Sequence, residues 1–248
     1  MGRAVIVKLG GSVITDKSKP FSYRVDVVSA LAEEIASSDE EVVVVHGGGS
    51  YGHTVARQED ISSSQPASSA VAVSRTRSAM YDLNSQFCKT MMDNKLAPYV
   101  FSPFDAVARA GKGQVAQWLR SLMRNGLTPV TFGDVTLTPA GLKILSGDSM
   151  VLGLTKILQP QRCVFALDAD GVYEPGSRVI IPELTPSKIR KMQVPPGEDA
   201  TGGIKLKLEV AAKIAALGTP VRFVSGYRRN EFAKALKGLE FYGTTVRS

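Results

Sequence analysis

Two short aliphatic runs constrain this chain more than any other feature. Ala4–Leu9 (AVIVKL) and Val42–Val45 (VVVV) suit strands rather than helices in length, and glycines follow each. Strands that are apolar on both faces belong in a parallel sheet covered on both sides. Between them Val27, Leu31 and Ile35 recur at spacing four, which predicts an amphipathic helix from about Arg24 to Ser37. The opening unit is therefore β-α-β.

The rest of the chain continues in that style. Met80, Leu83, Phe87 and Met91 form the core face of a long helix, and Pro98–Ser102 reads as a short strand. Val115, Trp118, Leu119 and Leu122 mark a helix ended by Gly126. Pro129–Phe132 and Val135–Thr138 read as consecutive strands around a Gly133-Asp134 turn. A helix from Asp148 to about Leu158 and a strand at Cys163–Leu167 follow. Next come a short basic helix bracketed by prolines, a helix from Gly203 to Leu217, a strand at Val221–Val224, a helix around Phe232–Leu236 and a last strand near Phe241–Val246. Strand and helix alternate without a linker or an internal repeat, so the expectation is one α/β domain whose two lobes meet near Ser146. The serine-rich stretch Ile61–Ala70 reads as a mobile surface loop, and its position suggests a lid.

Composition narrows the function. No apolar run approaches the roughly 20 residues of a membrane span, and the first strand begins too early for a signal peptide, so the expected location is cytoplasmic. Cys88 and Cys163 fit neither a disulfide framework nor a zinc site and read as free core thiols. Thirty basic against 23 acidic residues leave a net charge of +7, which suits anionic partners. The basic residues are spread out and no nucleic-acid motif accompanies them. A small phosphorylated ligand fits better.

Both glycine turns point to phosphate. Lys8-x-Gly10-Gly11-Ser12 follows the first strand, and His46-Gly47-Gly48-Gly49-Ser50-Tyr51-Gly52-His53 follows the second. Glycine turns at strand ends let backbone N–H groups approach phosphate oxygens, and a following helix adds its dipole. Two such loops suit two phosphorylated ligands facing each other. Gly47-x-Gly49-x-x-Gly52 also satisfies the dinucleotide fingerprint, but the acidic residue expected about 20 positions on is missing. Arg75 and Arg77 would serve a 2′-phosphate, so an NADP-binding oxidoreductase stays as an alternative. The only two histidines flank the glycines: His46 reads as a core imidazole, and His53, at a helix start, as a ligand contact.

A lysine inside an apolar strand is expensive unless its ammonium is paired, which singles out Lys8. Lys205 and Lys207 sit two positions apart at a helix start, hence on different faces, and at most one points at a given phosphate. Asp148 caps a helix or orients lysines. Asp168 and Asp170, at a strand end, hold a ribose or a metal or make an Asx turn.

Together these residues resemble the amino acid kinase superfamily, and within it the isopentenyl phosphate kinases. The likeness runs nearly end to end. It rests on Lys8–Ser12 with Thr15-Asp16-Lys17, His46–His53, Phe132-Gly133-Asp134-Val135, Ser146-Gly147-Asp148, Asp168–Tyr173, Thr201–Lys207 and Gly243–Val246. His53 is similar to the phosphate-binding histidine that separates isopentenyl phosphate kinases, and the related fosfomycin kinases, from amino acid kinases. The resemblance implies a three-layer α-β-α sandwich around a mainly parallel sheet. A lobe of about residues 1–145 would bind the acceptor, and one of about 146–248 would bind ATP with Mg²⁺.

Lys8, Lys17 and Lys207 would bear on the transferring phosphoryl group, with Asp148 organising them. Gly48, Gly49 and His53 would hold the acceptor phosphate. Lys8, Gly10, Gly11, Ser12, Asp168, Gly171, Gly203 and Lys207 would line the ATP site. The resemblance places the family's helix lysine five residues after the first glycine of this turn, which would make it Lys207 rather than Lys205. Lys143 stands where the resemblance implies a small residue near the acceptor. The implied reaction is ATP-dependent phosphorylation of isopentenyl phosphate to the diphosphate, in isoprenoid precursor synthesis by a mevalonate pathway variant, by a homodimer. A superfamily relative acting on another small phosphate, phosphonate or carboxylate is the second alternative.

Overall fold

The first strand, β1 (Val5–Leu9), lies at the middle of the molecule, paired in parallel with β2 (Val42–His46) on one side and β7 (Arg162–Leu167) on the other. This is a computed structural model that describes residues 4–58, 69–138, 141–192 and 203–248. The sheet continues outward through β4 (Thr128–Phe132) to the edge strand β3 (Pro98–Val100). On the other side it runs through β9 (Val221–Ser225) and β10 (Gly243–Val246) to β8 (Glu183–Leu184). The pairings are parallel except that of β9 with β10. From β1 the chain first builds leftward and then crosses to β7. The crevice at the carboxyl ends of these strands is the usual ligand position in such sheets.

Side-chain alternation divides the core into two layers. Val5, Val7 and Leu9 face one side, with Val42, Val44, Val164 and Ala166. That side is covered by α2 (Val25–Ala36), α4 (Ala70–Asp93) and α9 (Glu231–Leu236). Ile6 faces the other way, with Val43, Val45, Cys163 and Phe165, under α5 (Pro103–Arg124, broken at Gly111), α6 (Gly147–Leu158) and α8 (Gly203–Ala215). Lys8 has the parity of Ile6, so its side chain enters the α5/α6/α8 layer. The α-β-α sandwich is the expected one.

The glycine turns run straight into helices: α1 (Gly11–Ile14) after β1 and α3 (Gly49–Gln58) after β2. Met80, Leu83, Phe87 and Met91 are buried on α4, as their spacing implies. Residues 61–68 of the expected lid lie outside the described residues. Its last residue, Ala70, already belongs to α4, whose N-cap Ser69 accepts a hydrogen bond from the Ala72 N–H at 3.2 Å.

One expectation needs correcting. Val135–Thr138 does not pair with Pro129–Phe132 around a turn. Asp134 already opens β5 (Asp134–Thr138), which pairs with β6 (Gly141–Leu145), a strand the sequence reading lacks, as a separate antiparallel hairpin. The hairpin packs on α4, where Val135 joins Ala72 and Val73, with Leu142 and Ile144 against them. The other small addition is α7 (Pro186–Lys191), the basic helix, capped by Thr185.

Candidate active site

Lys8 is 4% exposed on a central strand, so it does not reach water from an edge. Its Nζ lies 2.6 Å from Asp148 Oδ1. Asp148 sits in the first turn of α6, whose N-cap Ser146 accepts from the Ser149 N–H at 3.2 Å. A helix start favours a carboxylate. From α8, Lys207 Nζ stands 3.6 Å from the other oxygen, Oδ2, and 3.4 Å from the Gly203 carbonyl one turn back. One buried carboxylate therefore holds two ammonium groups from two elements.

Electrostatics follow from that packing. Burial pushes the Asp148 carboxyl up, but Lys8 and Lys207 outweigh it and hold the group below the usual carboxylate range. Burial lowers the Lys8 ammonium, the Asp148 charge opposes this, and Lys207 and Lys17 add to the lowering. Removing one partner of such a buried pair costs about 3–5 kcal/mol. The arrangement keeps excess positive charge beside a fixed anion, ready for a more highly charged one.

The two glycine turns cross directly in front of these lysines. A Cβ on Gly47 would stand 2.6 Å from the Gly11 nitrogen, and one on Gly11 would run into the Gly49 backbone. Thr15 ties the crossing together: its hydroxyl donates to the Gly11 carbonyl at 2.7 Å and accepts from the Ser50 N–H at 2.8 Å. Each turn opens a helix, whose first N–H groups have no intrahelical acceptor. Lys17 stands on a loop closed at its base by the Thr15–Tyr23 bridge and braced by Asp16, which accepts from Ser18 N–H and Oγ at 3.0 and 2.7 Å.

Two clefts meet at this point. The first is lined by Gly47, Gly48, Gly52 and His53, by Gly133, Gly147 and Asp148, and by an apolar wall of Met80, Val135 and Ile144. The second is lined by Asp168, Gly171, Val172 and Tyr173 after β7 and by Gly203, Ile204 and Leu208 of α8. Ser12, Lys17, Leu167 and Lys207 border both. Gly171 is held against β10, where Thr244 Oγ1 accepts from the Val172 N–H at 2.9 Å.

The structure thus brings Lys8, Gly10, Gly11, Ser12, Lys17, Gly48, His53, Asp148 and Lys207 around the first cleft, and Asp168, Gly171 and Gly203 around the second. Gly49 lies in the turn itself, beside Thr15. Lys205 is exposed, while Lys207 is the lysine that turns inward. Asp170 is bound by Arg228 through Nε at 2.6 Å and Nη2 at 3.0 Å. Lys143, on β6 opposite Thr136, is absent from the cleft lining, which β6 supplies through Ile144 and Leu145.

His46 is a buried core imidazole, stacked on Phe132 at 5.1 Å, with Nδ1 3.1 Å from the Gly47 carbonyl and Nε2 3.2 Å from Asn84 Oδ1. Burial lowers it to about 4, so it stays neutral. Cys88 is half-buried and Cys163 buried, and both are free thiols.

Sequence reasoning missed Thr76, Asp134, Val135 and Ile144 as cleft residues. Gly133-Asp134-Val135 did stand out as a motif, but its place in a separate hairpin carried no periodic signal. Among the described residues no three metal-ligating side chains cluster, and none of the helices there is long and apolar enough to cross a membrane.

Comparisons with known proteins show the family and the fold. The isopentenyl phosphate kinase of Haloferax volcanii is 33% identical over 224 residues, covering 87% of this chain and 89% of that protein. That of Thermoplasma acidophilum is 27% identical over 252 residues, covering 98% of this chain and all of its own length. The crystal structure of the Thermoplasma acidophilum isopentenyl phosphate kinase product complex superposes with a TM-score of 0.76 at 24% identity over 98% of this chain, a likeness of fold. Residues 3–225 match the amino acid kinase family as a whole. On that match and that shared architecture, the chain belongs to the amino acid kinase family.

Proposed function

We propose that this protein transfers the γ-phosphoryl group of ATP to isopentenyl phosphate, giving isopentenyl diphosphate and ADP. The observation that carries the reading is that Lys17 and Lys207 border both clefts, with Lys207 and the neighbouring Lys8 paired to Asp148 in the first. The acceptor lies in the first cleft, lined mainly by residues 1–145. Its phosphate rests on the Gly48–Gly49 amides and His53, and its alkyl chain lies against Met80, Val135 and Ile144. ATP lies in the second cleft, lined mainly by residues 146–248, against Asp168, Gly171 and Gly203, with Ser12 of the first glycine turn at its border.

Phosphoryl transfer depends mainly on positioning and on cations that neutralise the moving charge. An acceptor phosphate oxygen forms the new bond to the γ-phosphorus, the bond to the β,γ-bridging oxygen breaks, and that oxygen leaves with ADP. A phosphate monoester with a second pKa of about 6 is already ionised near neutral pH, so no general base is required. Asp148 is occupied by two lysines and serves as their organiser. Lys8 and Lys207 relieve repulsion between the two phosphates, and His53 orients the acceptor. Magnesium entering with the nucleotide would supply further neutralisation at its phosphates; Asp148 is already engaged by Lys8 and Lys207. The resemblance also implies a homodimer, which light scattering at micromolar concentration tests.

A coupled ADP-release assay with a panel of acceptors decides the substrate. Isopentenyl phosphate should exceed glutamate, acetylglutamate and fosfomycin in kcat/KM by orders of magnitude. Preference for a carboxylate or phosphonate would overturn the substrate while leaving the kinase. A melting temperature raised by NADPH but not by ATP with magnesium would overturn both.

A further inference from the structure

The acceptor cleft has two walls that do not belong to the main sheet. Thr76 and Met80 come from α4, and Val135 and Ile144 come from the β5–β6 hairpin. A two-stranded hairpin is at best marginally stable alone. Its placement on α4 therefore depends on what joins the two, the Ala72–Val73–Val135 cluster and the polar contacts beside it, and both elements line the cleft.

Among the described residues, an ion pair also joins them beside the lining residues. Arg77, next to Thr76, places Nη2 3.0 Å from Asp134 Oδ2, next to Val135. The same nitrogen donates to the Tyr81 hydroxyl at 3.1 Å, and the guanidinium lies 5.7 Å from the Tyr81 ring centre. Tyr81 meets Phe132 edge-on at 5.5 Å, and Phe132 stacks on His46 beneath the glycine loop. The other carboxylate oxygen, Asp134 Oδ1, accepts from the Val135 N–H at 2.7 Å, so the pair is fixed to the hairpin backbone. Asp134 also borders the cleft. An acidic group there would repel a phosphorylated acceptor, and Arg77 offsets its charge.

We propose that Arg77 and Asp134 form a positioning clasp that sets the width of the acceptor cleft and thereby its selectivity for small over large alkyl phosphates. The proposal rests on the acceptor assignment above only for the identity of the ligand. Arg77 acts through the hairpin and not on the reacting atoms.

The test compares wild type with Arg77→Met, Arg77→Lys and Asp134→Asn, using isopentenyl phosphate and geranyl phosphate as acceptors. Arg77→Met and Asp134→Asn should each raise the isopentenyl phosphate KM on the order of fivefold, with kcat and the ATP KM within about twofold. The ratio of kcat/KM for geranyl over isopentenyl phosphate should rise by a similar factor. Arg77→Lys, which keeps the cation, should return both values most of the way. An unchanged acceptor KM and ratio would overturn the clasp, as would a uniform fall in kcat and both affinities that tracks lost thermal stability. Hydrogen exchange provides a readout independent of substrate: Arg77→Met should speed exchange in residues 134–138 and 141–145 but not in β1 or β2. Equal exchange there would overturn the clasp even if wild type proved to use another acceptor. Failure of wild type to turn over either prenyl phosphate, with the exchange difference present, would instead remove the substrate assignment.

Discussion

The two clefts share their cations but are built differently. The nucleotide side is framed by main-sheet strand ends and α8, with Gly171 fixed against Thr244 of β10. The acceptor side adds elements that the sheet does not dictate: α3 with His53, Met80 on α4, and the β5–β6 hairpin. The cleft we assign to the nucleotide is framed by the fold, and the one we assign to the acceptor is framed by what is hung on it. Binding of ATP should therefore tolerate changes that alter the acceptor, and the shared lysines should be sensitive from both sides.

Breaking the shared border should have the largest effect. Lys207→Ala removes one ammonium from Asp148 and should lower kcat on the order of a thousandfold, about 4 kcal/mol of lost transition-state stabilisation. Isothermal titration should still show ATP binding, weakened. Unchanged turnover would remove Lys207 from the chemistry.

Acid should act next, through the support beneath the acceptor loop. The native state holds His46 neutral down to about pH 4, whereas the unfolded chain protonates it near 6.5. The unfolded state therefore binds more protons between these values, and stability falls as pH falls through that window by about 3 kcal/mol at most. Urea midpoints from pH 7 to 4.5 should show this slope, and His46→Gln, which keeps an amide donor, should flatten it. Asp148 adds a loss of the same sign at lower pH, since its folded carboxyl titrates below the unfolded one.

His53→Ala separates the clefts most cleanly. Losing a donor to a charged phosphate should raise the acceptor KM about tenfold to thirtyfold with the ATP KM unchanged. Equal changes in both would erase the distinction. Tyr227→Phe should do least. Its hydroxyl donates to the Ser12 carbonyl at 2.9 Å and accepts from Arg24 at 2.6 Å on an exposed face, so the loss should stay below about 1 kcal/mol and appear in ATP affinity first.

The same contrast explains what was legible in the sequence. β1, β2, β7 and β9 lie under helices on both faces, and a strand buried twice is written as a mainly apolar run, interrupted here by Lys8 in β1 and Arg222 in β9. Lys8 stood out because a cation inside such a run demands a partner; helical spacing put Lys205 and Lys207 on different faces, and only the resemblance favoured Lys207. The hairpin was illegible for the opposite reason. Thr136 and Lys143 face each other across it, its apolar contacts are a small cluster on α4 and Leu145 against the main core, and Gly133-Asp134 reads as a turn when it is the join between two sheets. Asp134 as a partner for Arg77 depends on that misplaced strand, so no spacing rule pointed to it. The two-residue β8 carried too little sequence to read.

The central claim is direct transfer between two phosphates held across one group of lysines. Phosphorus NMR of the protein with ATP, magnesium and isopentenyl phosphate tests it in a single sample. The diphosphate resonances should grow one for one with those of ADP, and both should cease in Lys207→Ala. ADP accumulating while the isopentenyl phosphate signal stays constant would contradict the account.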